Sequence, residues 1–203
     1  MVRKEHWENI YSTKGMREVS WFQETPQTSL DLIKKLNLKN DAKIIDVGGG
    51  DGFFVDELLK LGYTNITVLD VSKNAINRAK ERLGEDSNKV KWIVSDITEF
   101  VPTEKYDVWH DRAVFHFLTE KKDIAKYKSL VNKSINEYFV LATFSDEGPN
   151  KCSGLEICKY SELDLQKQFE EAFNVVNSFK ENHNTPFETT QNFTFSVFQK
   201  VNE

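Results

Sequence analysis

The sequence predicts a doubly wound α/β fold with a mostly parallel, seven-stranded sheet that ends in an antiparallel C-terminal hairpin. Short apolar runs alternate with segments of helical periodicity, a pattern typical of right-handed βαβ units. Residues 138–144 are almost entirely apolar, as expected for a strand that is covered on both faces. Residues 192–199 alternate between apolar and polar side chains, which indicates an antiparallel strand near the edge of the sheet.

Local signals mark the ends of the predicted elements. Gly62 and Gly84 end two helices, because glycine readily adopts the backbone conformation found at helix C-termini. Ser72 precedes the second of these helices as an N-cap, and Ser161 forms a capping box with Asp164 for a later helix. The predicted strands cover 43–47, 66–69, 90–94, 106–109, 138–144, about 173–179 and 192–199. The predicted helices cover 54–61, 73–83, 119–133 and a segment from 161 that carries Leu165, Phe169 and Phe173.

The chain is predicted to be one domain with an N-terminal extension. No linker rich in Pro, Gly or Ser interrupts its 203 residues, and a chain of this length can bury a core without disulfides or a metal. We expect residues 1–40 to form a helical or lid extension and residues 41–203 to form a Rossmann-like α/β domain. The aromatic residues of the extension suit a lid over a ligand and the apolar face of a packed helix equally well. These residues are His6, Trp7, Tyr11, Trp21 and Phe22.

Composition and charge exclude several classes of protein. Hydrophobic residues make up 39% of the chain and charged residues 29%, which is typical of a soluble globular protein. No run approaches the ~18 apolar residues of a membrane span, and the N-terminus has no secretory signal. Cys152 and Cys158 are too few for a disulfide framework, so we expect a cytoplasmic protein. A net charge of −5 without a basic stripe makes a nucleic-acid partner unfavourable.

A glycine-rich segment directly after the first predicted strand is the most informative part of the sequence. It reads Asp46-Val47-Gly48-Gly49-Gly50-Asp51-Gly52 and leads into the first helix of the α/β domain. Glycines at this point allow a sharp turn and let a ligand approach backbone N–H groups closely. The candidate ligand-binding residues here are Asp46, Gly48, Gly49, Gly50 and Gly52.

Two further acidic residues follow the next two predicted strands. Asp70 ends the second strand, where a carboxylate can accept both hydroxyl hydrogens of a ribose. Asp96 follows the third strand and can accept a hydrogen bond from an adenine amine, while Val71 and Ile97 can hold the adenine ring between them. Parallel strands end at one edge of a sheet, so these residues should lie along one crevice. The pattern predicts a nucleoside ligand.

The glycine pattern also distinguishes between nucleoside cofactors. A dinucleotide fingerprint needs Gly-x-Gly-x-x-Gly, but the sixth position counted from Gly48 is Phe53. The Asp46 carboxylate would repel a pyrophosphate, whereas it suits the cationic sulfonium and amino groups of S-adenosylmethionine. The sequence also lacks a Gly-x-x-x-x-Gly-Lys-Ser/Thr loop for a nucleoside triphosphate. These features favour S-adenosylmethionine over NAD.

Taken together, these residues resemble the class I S-adenosylmethionine-dependent methyltransferases. The resemblance rests on the segment Asp46–Gly52, on Asp70 and Asp96, and on the late hairpin, and it extends over roughly residues 43–199. It implies the Rossmann-like methyltransferase fold. Gly49 occupies a position where this family often has Cys or Ala. Three flanking blocks are similar to small bacterial methyltransferases of unassigned substrate. They cover residues 18–22, 109–117 and 185–187.

The resemblance assigns parts of the cofactor to individual residues. It implies that Gly48, Gly50 and Gly52 contact the methionine and ribose portion. It likewise implies that Asp70 binds the ribose and that Asp96 binds the adenine. The implied activity is transfer of a methyl group, which converts S-adenosylmethionine to S-adenosylhomocysteine.

Candidate catalytic residues come from the polar end of the fourth predicted strand. Methyl transfer is an in-line displacement in which the protein mainly aligns the partners and excludes water, and a general base is needed only if the acceptor arrives protonated. His110 is the first candidate for a base or an acceptor-orienting group. Asp111 is a candidate for a contact to the methionine part of the cofactor or to the acceptor, and Arg112 for holding an acceptor carboxylate. Alternatively, these residues only connect the strand to the next helix, and His116 suits a core position.

Missing motifs narrow the acceptor class. The fourth strand is followed by no Asp/Asn-Pro-Pro-Tyr, and no Pro-Cys pair is present, which again disfavours nucleic acid. His183, Cys152 and Cys158 lack the spacing of a metal site, so no metal is expected. We expect a small-molecule or protein acceptor, no membrane association, and an oligomeric state that the sequence leaves open. Two other hypotheses remain: a non-catalytic module that binds the cofactor as a sensor or partner subunit, and an NAD-dependent oxidoreductase.

Overall fold

The computed structural model describes residues 3–201, in which strands and helices alternate from residue 43 to the end of the third strand at residue 94. The helices are α1 (Arg3–Thr13), α2 (Gln27–Lys35), α3 (Phe54–Lys60), α4 (Lys73–Leu83), α5 (Lys121–Ser134) and α6 (Glu162–Phe169). The strands are β1 (Lys43–Val47), β2 (Asn65–Asp70), β3 (Val90–Val94), β4 (Tyr106–Arg112), β5 (Ile135–Phe144), β6 (Lys151–Cys152), β7 (Leu155–Glu156), β8 (Phe173–Asn184) and β9 (Thr190–Lys200). Within residues 3–201, no helix combines the length and the apolar character that crossing a membrane requires.

Seven of these strands form one sheet in the order β3-β2-β1-β4-β5-β9-β8, and β6 pairs only with β7. The pairs β1–β2, β2–β3 and β4–β5 are parallel, whereas β9 runs antiparallel to both β5 and β8. Strand β5 lies inside the sheet because its residues from Phe139 to Phe144 are apolar or small enough to be buried throughout. The predicted fold class, including the C-terminal antiparallel hairpin, is confirmed.

The register of the first three strands aligns the ends that carry the candidate residues. Asp46 in β1 lies opposite Val68 in β2, and Asp70 at the end of β2 lies opposite Val94 at the end of β3. Because the strands are parallel, the segments that follow them leave the sheet at the same edge. The predicted grouping of the strand ends is therefore present in the structure.

The described chain divides into two compact units. The first extends to Phe100 and includes Thr185–Phe187, and the second contains Val101–Asn184 and the residues from Glu188 onwards. The core of the first unit includes the fully buried side chains of Ile33, Ile44, Ile45 and Leu58. The core of the second unit is rich in aromatic rings, namely Trp109, Tyr127, Phe115, Phe139, Phe169 and Phe198. The division predicted between residues 40 and 41 stays a prediction.

Several predicted elements have other bounds in the structure; β8, for example, runs to Asn184 and not to about residue 179. Strand β4 continues to Arg112 because its last three residues pair with Val140, Leu141 and Ala142 of β5. His110 and Asp111 therefore lie within the strand and not on a rim beyond it. Helix α6 ends at Phe169, and Phe173 begins β8 by pairing with Lys200 of β9. In β4, pairing with a distant strand thus extends the strand beyond its local sequence signal.

Candidate functional site

The glycine segment forms a tight loop between β1 and α3. Gly48 and Gly50 have φ angles of 70° and 56°, in the left-handed region that favours glycine. The Gly48 N–H donates to the Leu69 carbonyl oxygen at 2.7 Å, and the Gly52 N–H donates to the Gly49 carbonyl oxygen at 3.0 Å. These bonds hold the loop against the end of β2, so the loop is ordered by its own backbone.

The Asp46 carboxylate lies directly beneath this loop. Asp46 is buried, and a Cβ added to Gly49 would overlap both the Asp46 carboxylate and the Val68 side chain. Glycine at this position therefore makes room for a buried carboxylate under the turn. A negative charge at this point suits a cationic ligand and opposes a phosphate-bearing one.

Two arginines of α4 fix the second half of the loop. The Arg82 guanidinium pairs with the Asp56 carboxylate at 2.7 Å, donates to the Gly52 carbonyl oxygen at 2.8 Å, and lies 4.4 Å from the centre of the Phe53 ring. Arg78 pairs with the Asp51 carboxylate at 3.2 Å. Neither arginine has a local sequence signal, because both lie about 30 residues after the loop that they hold.

Asp70 is a buried carboxylate at the end of β2. Its Oδ1 accepts a hydrogen bond from the Ser72 N–H at 2.7 Å. Burial raises the pKa of Asp70 to about 7, an effect to which the negative charges of Asp51 and Asp46 add and which bonds from the Ser72 and Gly50 N–H groups oppose. Three carboxylates thus lie near one another in the first unit, and a cationic ligand would relieve their repulsion.

We expect the affinity for an adenosyl ligand to rise between pH 6 and pH 8. The predicted ribose contact, in which Asp70 accepts both hydroxyl hydrogens, needs an ionised carboxylate, and the pKa of Asp70 is raised to about 7. The ionised fraction, and with it the affinity, should increase about tenfold over this range. Calorimetric titration with S-adenosylhomocysteine at several pH values measures the change, and an affinity that falls or stays constant would contradict it.

The raised pKa of Asp70 also determines how the stability of the ligand-free protein changes with pH. The folded-state pKa of about 7 lies above the ordinary value of 3.8, so folded Asp70 retains its proton to a higher pH than unfolded Asp70. This contribution to stability is complete below about pH 4 and is lost as the pH rises through 7.

Asp96 lies directly after β3, and its carboxylate is already well bonded. The Arg3 Nη1 of α1 lies 2.9 and 3.0 Å from the two carboxylate oxygens. Oδ1 also accepts hydrogen bonds from the backbone N–H and the hydroxyl of Thr98. Ile97 is buried and Val71 is half-buried, each directly after the acidic residue at its strand end. The predicted adenine contacts of Asp96, Val71 and Ile97 stay predictions.

Helix α1 supplies Arg3 and Glu8, which had no predicted role, and Tyr11, one of the aromatic residues that suit either a lid or a packed helix face. Besides Arg3, Glu8 bonds to the N-terminus of α4, and the Tyr11 hydroxyl lies over Gly50. The Tyr11 ring packs edge to face on Trp21, and it is buried. Burial and the charges of nearby carboxylates raise the pKa of Tyr11, so its hydroxyl stays protonated. The spacing of residues 3, 8 and 11 on one broad helical face was the available signal.

The substitution Gly50→Ala should damage the loop. An added Cβ would lie 2.6 Å from the Tyr11 hydroxyl oxygen, and the φ angle of +56° is unfavourable for alanine. We expect S-adenosylhomocysteine to bind at least tenfold more weakly, with a loss of stability of about 1–2 kcal/mol. Calorimetry and thermal denaturation measure the two effects. Gly154→Ala is the control, because Gly154 also has a positive φ but has no atom within 4 Å of an added Cβ.

His110 and Asp111 belong to the second unit and point to opposite faces of β4 because strand residues alternate. His110 is buried and lies in register with Val140. Asp111 is fully buried, and its carboxylate accepts hydrogen bonds from the Tyr127 hydroxyl at 2.5 Å and the Val114 N–H at 2.8 Å. Burial raises the pKa of Asp111 to about 6 against these hydrogen bonds. The geometry gives Asp111 a role in holding the turn after β4, and its predicted ligand contact stays untested.

His116 occupies the core of the second unit, as the sequence predicts. It is fully buried, its ring stacks on Phe144 with centroids 4.6 Å apart, and its Nδ1 accepts the Phe144 N–H at 3.2 Å. Burial lowers the pKa of His116 to about 3, so the ring is neutral. The Arg112 guanidinium lies 4.8 Å from the centre of the Phe193 ring, within the same cluster.

Residues 3–201 contain no group of three or more His, Cys, Asp or Glu side chains arranged to hold a metal ion. Neither Cys152 nor Cys158 forms a disulfide bond. The Cys158 thiol contacts the Leu118 carbonyl oxygen at 3.7 Å. Both cysteines lie in the second unit.

Comparison with known proteins adds family information to this geometry. A family model described as a methyltransferase domain matches residues 44–133. Malonyl-[acyl-carrier protein] O-methyltransferase 2 of Ilyobacter polytropus is 34% identical over 82 residues, which cover 40% of this chain and 31% of that protein. EEF1A lysine methyltransferase 2 of Homo sapiens is 26% identical over 188 residues, which cover 85% of this chain and 75% of that protein. The chain thus spans under a third of the first relative and three quarters of the second.

Solved structures share the fold over nearly the whole chain. An S-adenosylmethionine-dependent methyltransferase from Anabaena variabilis has a TM-score of 0.74 at 14% identity, covering 99% of this chain and 96% of that one. The N-methyltransferase NodS from Bradyrhizobium japonicum, in complex with S-adenosyl-L-homocysteine, has a TM-score of 0.70 at 16% identity, covering 98% of this chain and 99% of that one. At these identities the likeness concerns the fold.

Proposed function

We propose, because the chain belongs to the class I S-adenosylmethionine-dependent methyltransferase family, that it transfers a methyl group from this cofactor to the amine of a protein lysine. The buried Asp46 and Asp70 carboxylates and the glycine turn suit a cationic adenosyl ligand. When bound, that cofactor supplies an electrophilic methyl group. Gly48, Gly50 and Gly52 would hold its methionine and ribose portion, and Asp70 its ribose hydroxyls.

We choose a lysine acceptor because the match with the human lysine methyltransferase covers most of this chain. Cofactor binding in this fold needs only the strand ends and the glycine loop, so a match over part of the chain says little about the acceptor. The match to the lysine methyltransferase covers 85% of this chain, whereas the malonyl relative matches 40% of it. A relationship that extends beyond the cofactor-binding half supports a related acceptor.

An amine acceptor makes specific chemical demands on the protein. A lysine ammonium has a pKa of about 10.4 and must lose its proton before its nitrogen can attack. His110 is the candidate that accepts or relays this proton, because an imidazole can do so near neutral pH. Asp111 would support it indirectly by holding the turn that follows β4. The cationic acceptor also agrees with the acidic net charge of −5.

A small-molecule or thioester-bound carboxylate is the second candidate acceptor. It is supported by the higher identity, 34%, of the malonyl-[acyl-carrier protein] relative over the shorter matched segment. Arg112 is the residue we would expect to hold such a carboxylate. The sensor and NAD hypotheses are not favoured, since the matching family and relatives are methyltransferases. We also propose a cytoplasmic location, which the absence of a disulfide between Cys152 and Cys158 supports.

Labelling of an extract tests the acceptor. The purified protein is incubated with S-adenosylmethionine carrying a labelled methyl group and an extract of its source organism, with malonyl-[acyl-carrier protein] in a parallel reaction. We expect label in protein, located at lysine by mass spectrometry, and no label after the extract amines have been acetylated. The Asp70→Ala variant is the control for background. Label that survives acetylation, or that enters only the malonyl thioester, would contradict the lysine proposal.

A further inference from the structure

We propose that helix α1 contributes positioning residues to the cofactor site: Glu8 positions Asp70, and Arg3 positions Asp96. This inference rests on the proposed cofactor binding but not on the identity of the acceptor. The helix contacts the segments that follow β1, β2 and β3 through Tyr11, Glu8 and Arg3 respectively. At 3.6 residues per turn, these three side chains fall within about 140° of the helix circumference. One face of one helix therefore reaches all three strand ends.

Glu8 bonds the start of α4 through both carboxylate oxygens. Oε1 accepts the Lys73 N–H at 2.8 Å, and Oε2 accepts the Asn74 N–H at 3.1 Å and the Ser72 hydroxyl at 2.9 Å. The first N–H groups of a helix lack intrahelical partners, and a carboxylate there is also favoured by the helix dipole. Burial would raise the pKa of Glu8, but these hydrogen bonds lower it overall. Glu8 thus acts as an ionised clamp on this turn.

Ser72 connects this clamp to the ribose-binding candidate. Its hydroxyl donates to Glu8 and accepts the Ala75 N–H at 3.1 Å, so the side chain has one fixed orientation. Its backbone N–H donates to Asp70 Oδ1 at 2.7 Å. Ser72 is fully buried. Fixing Ser72 therefore fixes which oxygen of Asp70 is bonded and leaves Oδ2 directed towards the Gly50 side of the loop.

Arg3 holds the adenine-binding candidate in a similar way. Its Nη1 contacts both oxygens of Asp96, while the Thr98 N–H and hydroxyl bond only to Oδ1. Among residues 3–201, Oδ2 therefore receives a hydrogen bond from Arg3 alone, and it keeps acceptor capacity for an amine. The carboxylate has a single orientation because both of its sides are held. Arg3 and Glu8 thus act on the cofactor through other residues.

The test measures S-adenosylhomocysteine affinity by calorimetry for the full chain and its variants. Glu8→Ala and Arg3→Ala should each weaken binding about tenfold, the range expected for loss of charge-assisted hydrogen bonds. Glu5→Ala and Lys4→Ala are the matched controls, because both residues are exposed on α1 and lose the same charges. These controls should bind as the wild type does. Glu8→Gln should restore part of the affinity, since its amide oxygen still accepts hydrogen bonds.

A pH profile separates positioning from simple structural support. The groups around Asp70 are the carboxylates of Asp46 and Asp51, the Tyr11 hydroxyl, and the N–H groups of Ser72 and Gly50, with Arg78 paired to Asp51. Loosening Ser72 in Glu8→Ala removes a donor that favours ionised Asp70, so the pH midpoint of binding should move upward. A loss of thermal stability alone would leave that midpoint unchanged.

The possible results distinguish failure of the positioning role from failure of the proposed function. If the wild type binds S-adenosylhomocysteine and Glu8→Ala binds it equally well with the same pH midpoint, the positioning role is wrong while the proposed function stands. If Glu5→Ala weakens binding as much as Glu8→Ala, the specific role of Glu8 is also wrong. If the wild type does not bind the ligand at all, the proposed function fails first. Should Glu8→Ala not fold, Glu8→Gln and Arg3→Ala carry the same comparison.

Discussion

Replacing Asp70 with alanine is expected to weaken cofactor binding by about 1–3 kcal/mol, which corresponds to about five- to 150-fold. The physical reason is the loss of charge-assisted hydrogen bonds to the ribose hydroxyls from a carboxylate that the fold holds at the end of β2. Calorimetric titration with S-adenosylhomocysteine at pH 8 measures the effect, because Asp70 is then mostly ionised. An unchanged affinity would remove Asp70 from the site.

Measuring the stability of the variants distinguishes a loss of cofactor binding from a loss of folding. Burial and two neighbouring carboxylates disfavour ionised Asp70 in the ligand-free protein, so its removal also removes a repulsive charge. We therefore expect Asp70→Asn, which keeps the side-chain volume, to bind weakly while its melting temperature at pH 8 is equal to or higher than that of the wild type. Asp41→Ala is the matched control, because Asp41 is exposed before β1 and should alter neither property.

The substitution His110→Ala is expected to lower kcat about 100-fold or more while changing the cofactor Kd less than twofold. This range is the usual contribution of a positioned acid or base, and His110 is the candidate in β4 for that role. Steady-state kinetics with the acceptor and calorimetry with S-adenosylhomocysteine measure the two quantities separately. Wild-type turnover in the variant would exclude His110 from the mechanism.

A second histidine provides the control for His110. His183 lies in β8 and packs edge to face on Phe193, with ring centroids 6.2 Å apart. We expect His183→Ala to lower stability modestly but to keep most of the turnover of the folded enzyme. A pH–rate profile adds an independent readout, because loss of a proton acceptor should make the remaining rate rise more steeply with pH as the acceptor amine deprotonates.

Much of the cofactor side could be predicted because its signals are local. Gly48 and Gly50 adopt positive φ angles that only glycine takes up readily, so their place after a short β-branched strand already indicated the turn. Asp70 and Asp96 could be proposed as ligand-binding residues because residues at the ends of parallel strands share one edge of a sheet. These inferences needed only strand positions, and the structure places the strands close to where the sequence predicts them.

The residues that sequence reasoning missed act over long separations. Arg3 reaches Asp96 across 93 positions, and Glu8 reaches Ser72 across 64. Arg82 binds the carbonyl of Gly52, 30 positions earlier. No local periodicity encodes such pairs, because they depend on how α1 and α4 pack in the first unit.

The end of β4 also depends on a distant part of the chain. The sequence predicts a strand that ends at residue 109, but pairing with β5 extends it through Arg112. Strand alternation then directs Asp111 into the core beside Tyr127, away from the face of His110. Only the ladder with β5 decided that Asp111 would hold a turn.

The sequence alone determined the α/β class, the glycine turn and the acidic residues at the strand ends, since backbone preference and side-chain periodicity are properties of neighbouring residues. Tertiary structure decided which carboxylate oxygens are bonded, that the pKa of Asp70 is raised to about 7, and that α1 bonds the segments that follow β2 and β3. The reason is that desolvation and hydrogen bonding depend on every group within a few ångströms, and most of these groups come from distant parts of the chain.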